Sequence, residues 1–174
     1  MGDFWVFGYG SLIWNPGFEV VDSQPARLFG LHRSLCIYSW VHRGTRSLPG
    51  LVLGLDKGGS CSGMAFKVHS DNRNSVIEYL RKRELVTDVY KESWRQIKFS
   101  SGASVQALTF VVDRTSPQYS GLLSLDKQID IVTCAKGNSG PNDEYLLKTV
   151  EHLRSISIRD HNLESIADII VQNQ

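Results

Sequence analysis

Long apolar runs are missing from this chain, and with them the expectation of a membrane-spanning helix. No stretch approaches the roughly 20 consecutive apolar residues that a bilayer demands. An excess of one charge is missing too. The 19 Lys and Arg are balanced by 18 Asp and Glu, a formal net charge of +1. That balance gives no electrostatic case for nucleic acid as the main partner. Cysteine is scarce: Cys36, Cys61 and Cys134 lie far apart and form no CxxC. This is the pattern of reduced, mostly buried thiols in a cytoplasmic protein, not of a disulfide framework. The five histidines include no HExxH and no i,i+4 pair, so neither a structural zinc site nor a catalytic metal is expected. Met1-Gly2-Asp3-Phe4-Trp5 offers no basic segment followed by an apolar one, and no secretory signal is expected. Phe4-Trp5-Val6-Phe7 reads as a strand, which sets aside a myristoylated start.

Common reaction motifs are also absent. Gly8-Tyr9-Gly10-Ser11-Leu12-Ile13 lacks the last glycine of GxGxxG, no GxxxxGK[ST] follows a strand, and no serine sits in GxSxG. A serine or cysteine hydrolase therefore has no local support.

What is present is a chain of 174 residues with 41% hydrophobic and 21% charged residues. That suits one globular domain, 1–174, without repeats or a low-complexity linker. The first two thirds read mainly as strands. Residues 4–9 are rich in aromatic and branched residues, and residues 28–40 hold apolar residues broken by basic ones. Residues 51–55 and 63–68 flank Asp56-Lys57-Gly58-Gly59-Ser60, which predicts a hairpin, and residues 105–112 read as an interior strand. Helices are predicted over residues 71–83, with Asp71 as a cap and Val76 and Leu80 on one side. Two more span 124–136, ending at Gly137, and 142–156, capped by Asn142. In a last one, Leu163, Ile166, Ala167 and Ile170 recur at i, i+3, i+4, i+7. Strands first and helices later predict an α+β domain, not a doubly wound one.

Two places invite chemistry. In Phe7-Gly8-Tyr9-Gly10-Ser11-Leu12 a hydrophobic strand runs into a Gly-x-Gly-Ser turn. Glycines there let a ligand approach the backbone, and successive amides can cradle a carboxylate or an oxyanion. The plainer reading is a tight turn with no ligand. The second place is Glu84, at the carboxyl end of the helix over 71–83, where a carboxylate opposes the helix dipole. It reads either as a solvated side chain paired with a neighbouring arginine or as a catalytic carboxylate.

A family resemblance favours the chemical readings. Val6-Phe7-Gly8-Tyr9-Gly10-Ser11-Leu12-Ile13-Trp14, Ser39-Trp40-Val41-His42-Arg43-Gly44-Thr45 and Pro49-Gly50-Leu51-Val52-Leu53-Gly54-Leu55 come first. Tyr79-Leu80-Arg81-Lys82-Arg83-Glu84 and Gly137-Asn138-Ser139-Gly140-Pro141-Asn142-Asp143-Glu144-Tyr145-Leu146 follow in order. Together these blocks resemble the ChaC family of γ-glutamylcyclotransferases, which act on glutathione. The chain departs from the family's frequent Pro-Glu after the His-Arg-Gly-Thr block, where it has Arg46-Ser47.

The resemblance implies a curved mixed sheet or small barrel with flanking helices. It implies conversion of glutathione to 5-oxoproline and Cys-Gly without metal or cofactor. It assigns Glu84 as the general base and Val6, Phe7, Gly8, Tyr9, Gly10, Ser11 and Leu12 as the substrate-binding segment. Tyr145, His42 and Arg43 stand as supporting residues, each with an equally plain reading as core or solvated side chain. Arg81 and Arg83 are expected to be solvated, and Trp5, Trp14 and Trp40 to pack. Two alternatives remain at this point: a cyclotransferase for other γ-glutamyl amines, or a non-catalytic binding protein of the same fold. The oligomeric state is not legible.

Overall fold

The computed structural model describes residues 2–85 and 87–173. These form strands β1 (Phe4–Gly8), β2 (Asp22–Ser39), β3 (Gly50–Val68), β4 (Tyr90–Phe99), β5 (Ser104–Val112), β6 (Lys136–Gly137) and β7 (Gly140–Pro141). The helices are α1 (Arg73–Glu84), α2 (Leu125–Cys134), α3 (Asn142–Ser155) and α4 (His161–Gln172), with single 3-10 turns at Ser11–Ile13 and Ser70–Asn72. The fold is α+β. Five strands close into a barrel in the order β1-β3-β2-β4-β5. β1 runs antiparallel to β3 and parallel to β5, so the barrel is mixed.

The chain divides into two compact units. One holds the residues up to Ser34 together with Gly54–Ser116. The other holds Leu35–Leu53 together with the residues from Pro117 onward. In the first, α1 lays Val76 and Leu80 onto Val6, Phe66, Val68, Leu108 and Phe110 of the strands, and Leu12 of the first 3-10 turn joins the same cluster. Those two residues are four apart and therefore on one helix face. In the second, Val132, Leu146, Val150, Leu153, Leu163, Ile166, Ala167 and Ile170 of α2, α3 and α4 are buried.

Several expectations need correction. Residues 51–55 and 63–68 are not the arms of a hairpin but one strand, β3. Gly58 and Gly59 adopt φ of 103° and 64° inside it. The positive φ that suggested a reversal is thus spent within a strand that continues, the conformation glycines take at a bulge or bend. Asp71 lies in the 3-10 turn before α1, and the N-cap position is Asn72, without a side-chain cap bond. Gly137 does not cap α2, which ends at Cys134 with Ala135 as its C-cap. It belongs to β6, where a Cβ would meet the Val41 carbonyl at 2.5 Å. Asn142 is the first residue of α3, not its cap. Its side chain binds both backbone groups of Leu51, accepting from the N–H at 2.6 Å and donating to the C=O at 2.8 Å. Strand β4 escaped the sequence reading because Lys91, Glu92, Arg95, Gln96 and Lys98 mask its alternation.

Candidate active site

The Gly-x-Gly-Ser motif splits in two. Val6, Phe7 and Gly8 lie in β1 opposite Phe66, Ala65 and Met64 of β3, and Val6 also pairs with Leu108 of β5. The side chains of Val6 and Phe7 are fully buried. Tyr9, Gly10, Ser11 and Leu12 lie beyond the ladder. The first bond of the 3-10 turn runs from the Ile13 N–H to the Gly10 C=O at 2.9 Å, so the Ser11 and Leu12 N–H groups precede its ladder. Two side chains fix the carbonyls that lead into the turn. The Thr109 hydroxyl donates to the Phe7 C=O at 3.1 Å, and Arg33 Nε donates to the Tyr9 C=O at 2.6 Å.

The end of α1 meets this turn through Arg83. Its Nη2 donates to Ser11 Oγ at 3.0 Å, and its Nη1 donates to the Asn15 C=O at 2.6 Å and the Pro16 C=O at 3.3 Å. Nη1 also reaches the Tyr79 hydroxyl at 3.1 Å. Nε lies 3.2 Å from Glu84 Oε1. Tyr79 closes the same arrangement from one helical turn earlier: a Cβ at Gly17, where φ is +75°, would fall 1.9 Å from its hydroxyl oxygen. The loop over residues 15–17 is thereby fastened to α1, and Glu84 to the turn.

Glu84 is the unusual carboxylate of this unit. Its side chain is 18% exposed. Burial raises its pKa above the ordinary glutamate value, and the Arg83 guanidinium, by charge and by hydrogen bond, opposes the rise. Glu78, six residues earlier, is exposed, paired with Lys82 at 2.7 Å and shifted the other way. Arg83 is not solvated as expected, because every face of its guanidinium has a partner. Arg81 is engaged elsewhere, with Glu92 of β4 at 2.6 Å. The sequence expectation of a solvated Arg83 set aside the other signal it carried, its position beside the carboxylate.

The three supporting residues lie in the second unit, where Arg43 and Tyr145 meet and His42 has a different partner. Arg43 stacks over the Tyr145 ring at 5.4 Å and donates to the Pro141 C=O at 3.2 Å. The Leu53 N–H donates to the Tyr145 hydroxyl at 3.2 Å. His42 Nδ1 lies 3.1 Å from Ser139 Oγ, in the β6–β7 turn. Of the tryptophans, Trp5 packs on Phe99 with ring centroids 5.0 Å apart, and Arg46 covers Trp40. Among the described residues no three His, Cys, Asp or Glu side chains converge as a metal site.

A family model described as ChaC-like protein matches residues 4–173. The chain belongs to the ChaC-like family. Among curated ChaC-like relatives, the glutathione-specific γ-glutamylcyclotransferase of Escherichia coli K12 is 32% identical over 165 residues, which is 95% of this chain and 71% of that one. The glutathione-specific γ-glutamylcyclotransferase 1 of Danio rerio is 34% identical over 156 residues, 86% of this chain and 79% of the relative. The ChaC-like fold is matched by the crystal structure of a γ-glutamyl cyclotransferase specific to glutathione from yeast. The TM-score is 0.87 at 21% identity, covering 99% of this chain and 97% of the other.

Proposed function

We propose that this chain is a γ-glutamylcyclotransferase that cleaves glutathione to 5-oxoproline and Cys-Gly, with Glu84 as general base. The observation that carries the reading is a partly buried carboxylate of raised pKa, tied through one guanidinium to the Gly-x-Gly-Ser turn. The names of the curated relatives support the same substrate.

The chemistry is intramolecular. The α-amine nitrogen of the γ-glutamyl unit attacks its own γ-carbonyl carbon. A C–N bond closes the five-membered lactam, and the C–N bond to the cysteine residue breaks. The ammonium form cannot attack, so Glu84 takes its proton and returns one to the departing nitrogen. Such a group contributes roughly 10²–10⁴-fold, and a carboxyl whose pKa burial has moved toward neutrality suits both transfers. The turn over Tyr9–Leu12 holds the γ-glutamyl head by backbone amides and meets the oxyanion that forms on the γ-carbonyl. The reading treats residues 1–174 as one functional domain, working in the cytoplasm without a cofactor. Two facts support that location: none of Cys36, Cys61 and Cys134 is in a disulfide, and no described helix is long and apolar enough to cross a membrane.

The test is incubation with glutathione and direct measurement of 5-oxoproline and Cys-Gly, with γ-glutamyl amino acids as parallel substrates. Both products are expected in equal amounts, and Glu84→Gln should abolish them while leaving the fold intact. Turnover by that variant within a few-fold of the parent rejects Glu84 as the base.

A further inference from the structure

Arg83 makes more contacts than a surface ion pair needs. An exposed arginine beside a carboxylate on a helix end gains little by ordering its side chain. This one is 20% exposed and is held on all sides. Nε faces Glu84, Nη2 faces Ser11, and Nη1 faces the Asn15 and Pro16 carbonyls and the Tyr79 hydroxyl. A planar guanidinium with that many fixed partners cannot swing, and the carboxylate on its Nε edge takes its position from it. Lysine, a point donor on a flexible stem, cannot reach the same set at once.

We propose that Arg83 is a positioning residue: it registers the Glu84 carboxylate against the Ser11 turn and acts on the reaction only through Glu84. The inference rests on the assignment of Glu84 as base.

The other two cations in the last turn of α1 are engaged away from Glu84. On α1, Lys82 turns to Glu78 and Arg81 turns to Glu92 of β4. The first 3-10 turn and the loop after it present to Arg83 the Ser11 hydroxyl and two carbonyls, all uncharged. The strands packed beneath α1 present Val6 of β1, Phe66 of β3, and Leu108 and Phe110 of β5. Arg83 is the charge that acts on Glu84 among the described residues. Its removal leaves a partly buried carboxylate with desolvation unopposed.

The experiment compares Arg83→Met, Arg83→Gln and Arg83→Lys with the parent, using pH profiles of kcat/KM and kcat for glutathione cleavage. Thermal melts establish that each variant is folded. Turnover falls as pH drops through the pKa of the base. In Met and Gln variants this acid limb is expected to move to higher pH by about one unit or more. In the Lys variant, which keeps the charge but loses the fork, the limb stays near the parent's, while kcat falls by on the order of 10-fold to 10²-fold through lost register. Carbon-13 NMR of the Glu84 carboxyl, assigned by its absence in Glu84→Gln, reads the same shift without needing turnover. It should show a higher midpoint in whichever neutral variant folds.

An unmoved limb and an unmoved NMR midpoint in a folded neutral variant overturn the inference. So does a Lys variant whose kcat matches the parent's, since register is then not set by the fork. Full turnover by Glu84→Gln fails the base assignment itself. Inactive Glu84→Gln with an unmoved limb in the neutral Arg83 variants fails the Arg83 inference alone.

Discussion

Arg33 on β2 reaches two carbonyls at once, Tyr9 through Nε at 2.6 Å and Ser62 through Nη2 at 2.7 Å, and is 9% exposed. In a trans peptide the C=O of one residue and the N–H of the next point in opposite directions. By holding the Tyr9 carbonyl, Arg33 therefore sets the direction of the Gly10 N–H at the mouth of the turn. Hydrogen bonds to a charged donor are worth about 1.5–3 kcal/mol each, and a buried carbonyl left without a partner adds its own penalty. Arg33→Met should cost several kcal/mol and lower the thermal midpoint by about 2–4 °C per kcal/mol at this chain length. Arg33→Lys recovers part of this loss, because an ammonium on a flexible stem serves one carbonyl well and not two. Calorimetry of the two variants checks the order. Equal midpoints for Met, Lys and the parent would remove Arg33 from the account of the turn.

At the scale of elements, the second unit depends on how α3 begins. Asn142 is wholly buried, and its amide copies a strand partner for Leu51 at the start of β3. Asn142→Ala leaves the N–H and C=O of Leu51 without those bonds, a loss of about 2 kcal/mol or more. Asn142→Asp keeps the acceptor, loses the donor and buries a charge, so it should be no better. Chemical denaturation with an unchanged m-value and a lower midpoint is the expected result, and a midpoint within error of the parent's would sink the point. The same residue shows where sequence reading stops. Periodicity located α1 and α3 within about two residues and showed that α4 exists, because Val76 and Leu80, or Leu163, Ile166 and Ala167, are spaced for one helix face. The Gly-x-Gly-Ser turn and Glu84 were legible as local motifs. Asn142 looked like a cap because its partner, Leu51, is distant in sequence. Gly58 and Gly59 looked like a reversal because φ does not reveal whether neighbouring strands will carry the chain onward. Arg83 looked solvated because its partners Ser11 and Asn15 lie some 70 residues earlier.

At the scale of the whole molecule, the pH dependence of stability sums carboxylates shifted in opposite directions. Glu164 on α4 receives Arg159 through both oxygens at 2.6 Å, with Arg154 at 3.7 Å. The hydrogen bond from Arg159 leads the causes that lower its pKa from 4.5 to about 2. Between those values the unfolded chain binds more protons than the folded one, so this contribution is complete above the unfolded pKa and is lost as pH falls toward about 2. Asp113, bonded to Lys91 at 2.7 Å and to Thr115, is lowered to about 2 and behaves alike. Glu84 works the other way. Its folded pKa lies above its unfolded one because of burial, so the folded chain holds the proton longer and stability declines as pH rises through that window. The carboxylate assigned to catalysis therefore costs stability at neutral pH. Melts across a pH series should separate the two effects. The Glu164→Gln deficit should be largest near neutrality and shrink toward about pH 2. Glu84→Gln should gain on the parent as pH climbs from about 4.5 and hold that gain at neutrality. Curves for Glu84→Gln and the parent that stay parallel throughout would show that Glu84 titrates alike folded and unfolded, and its buried carboxyl would lose its claim to an altered proton affinity.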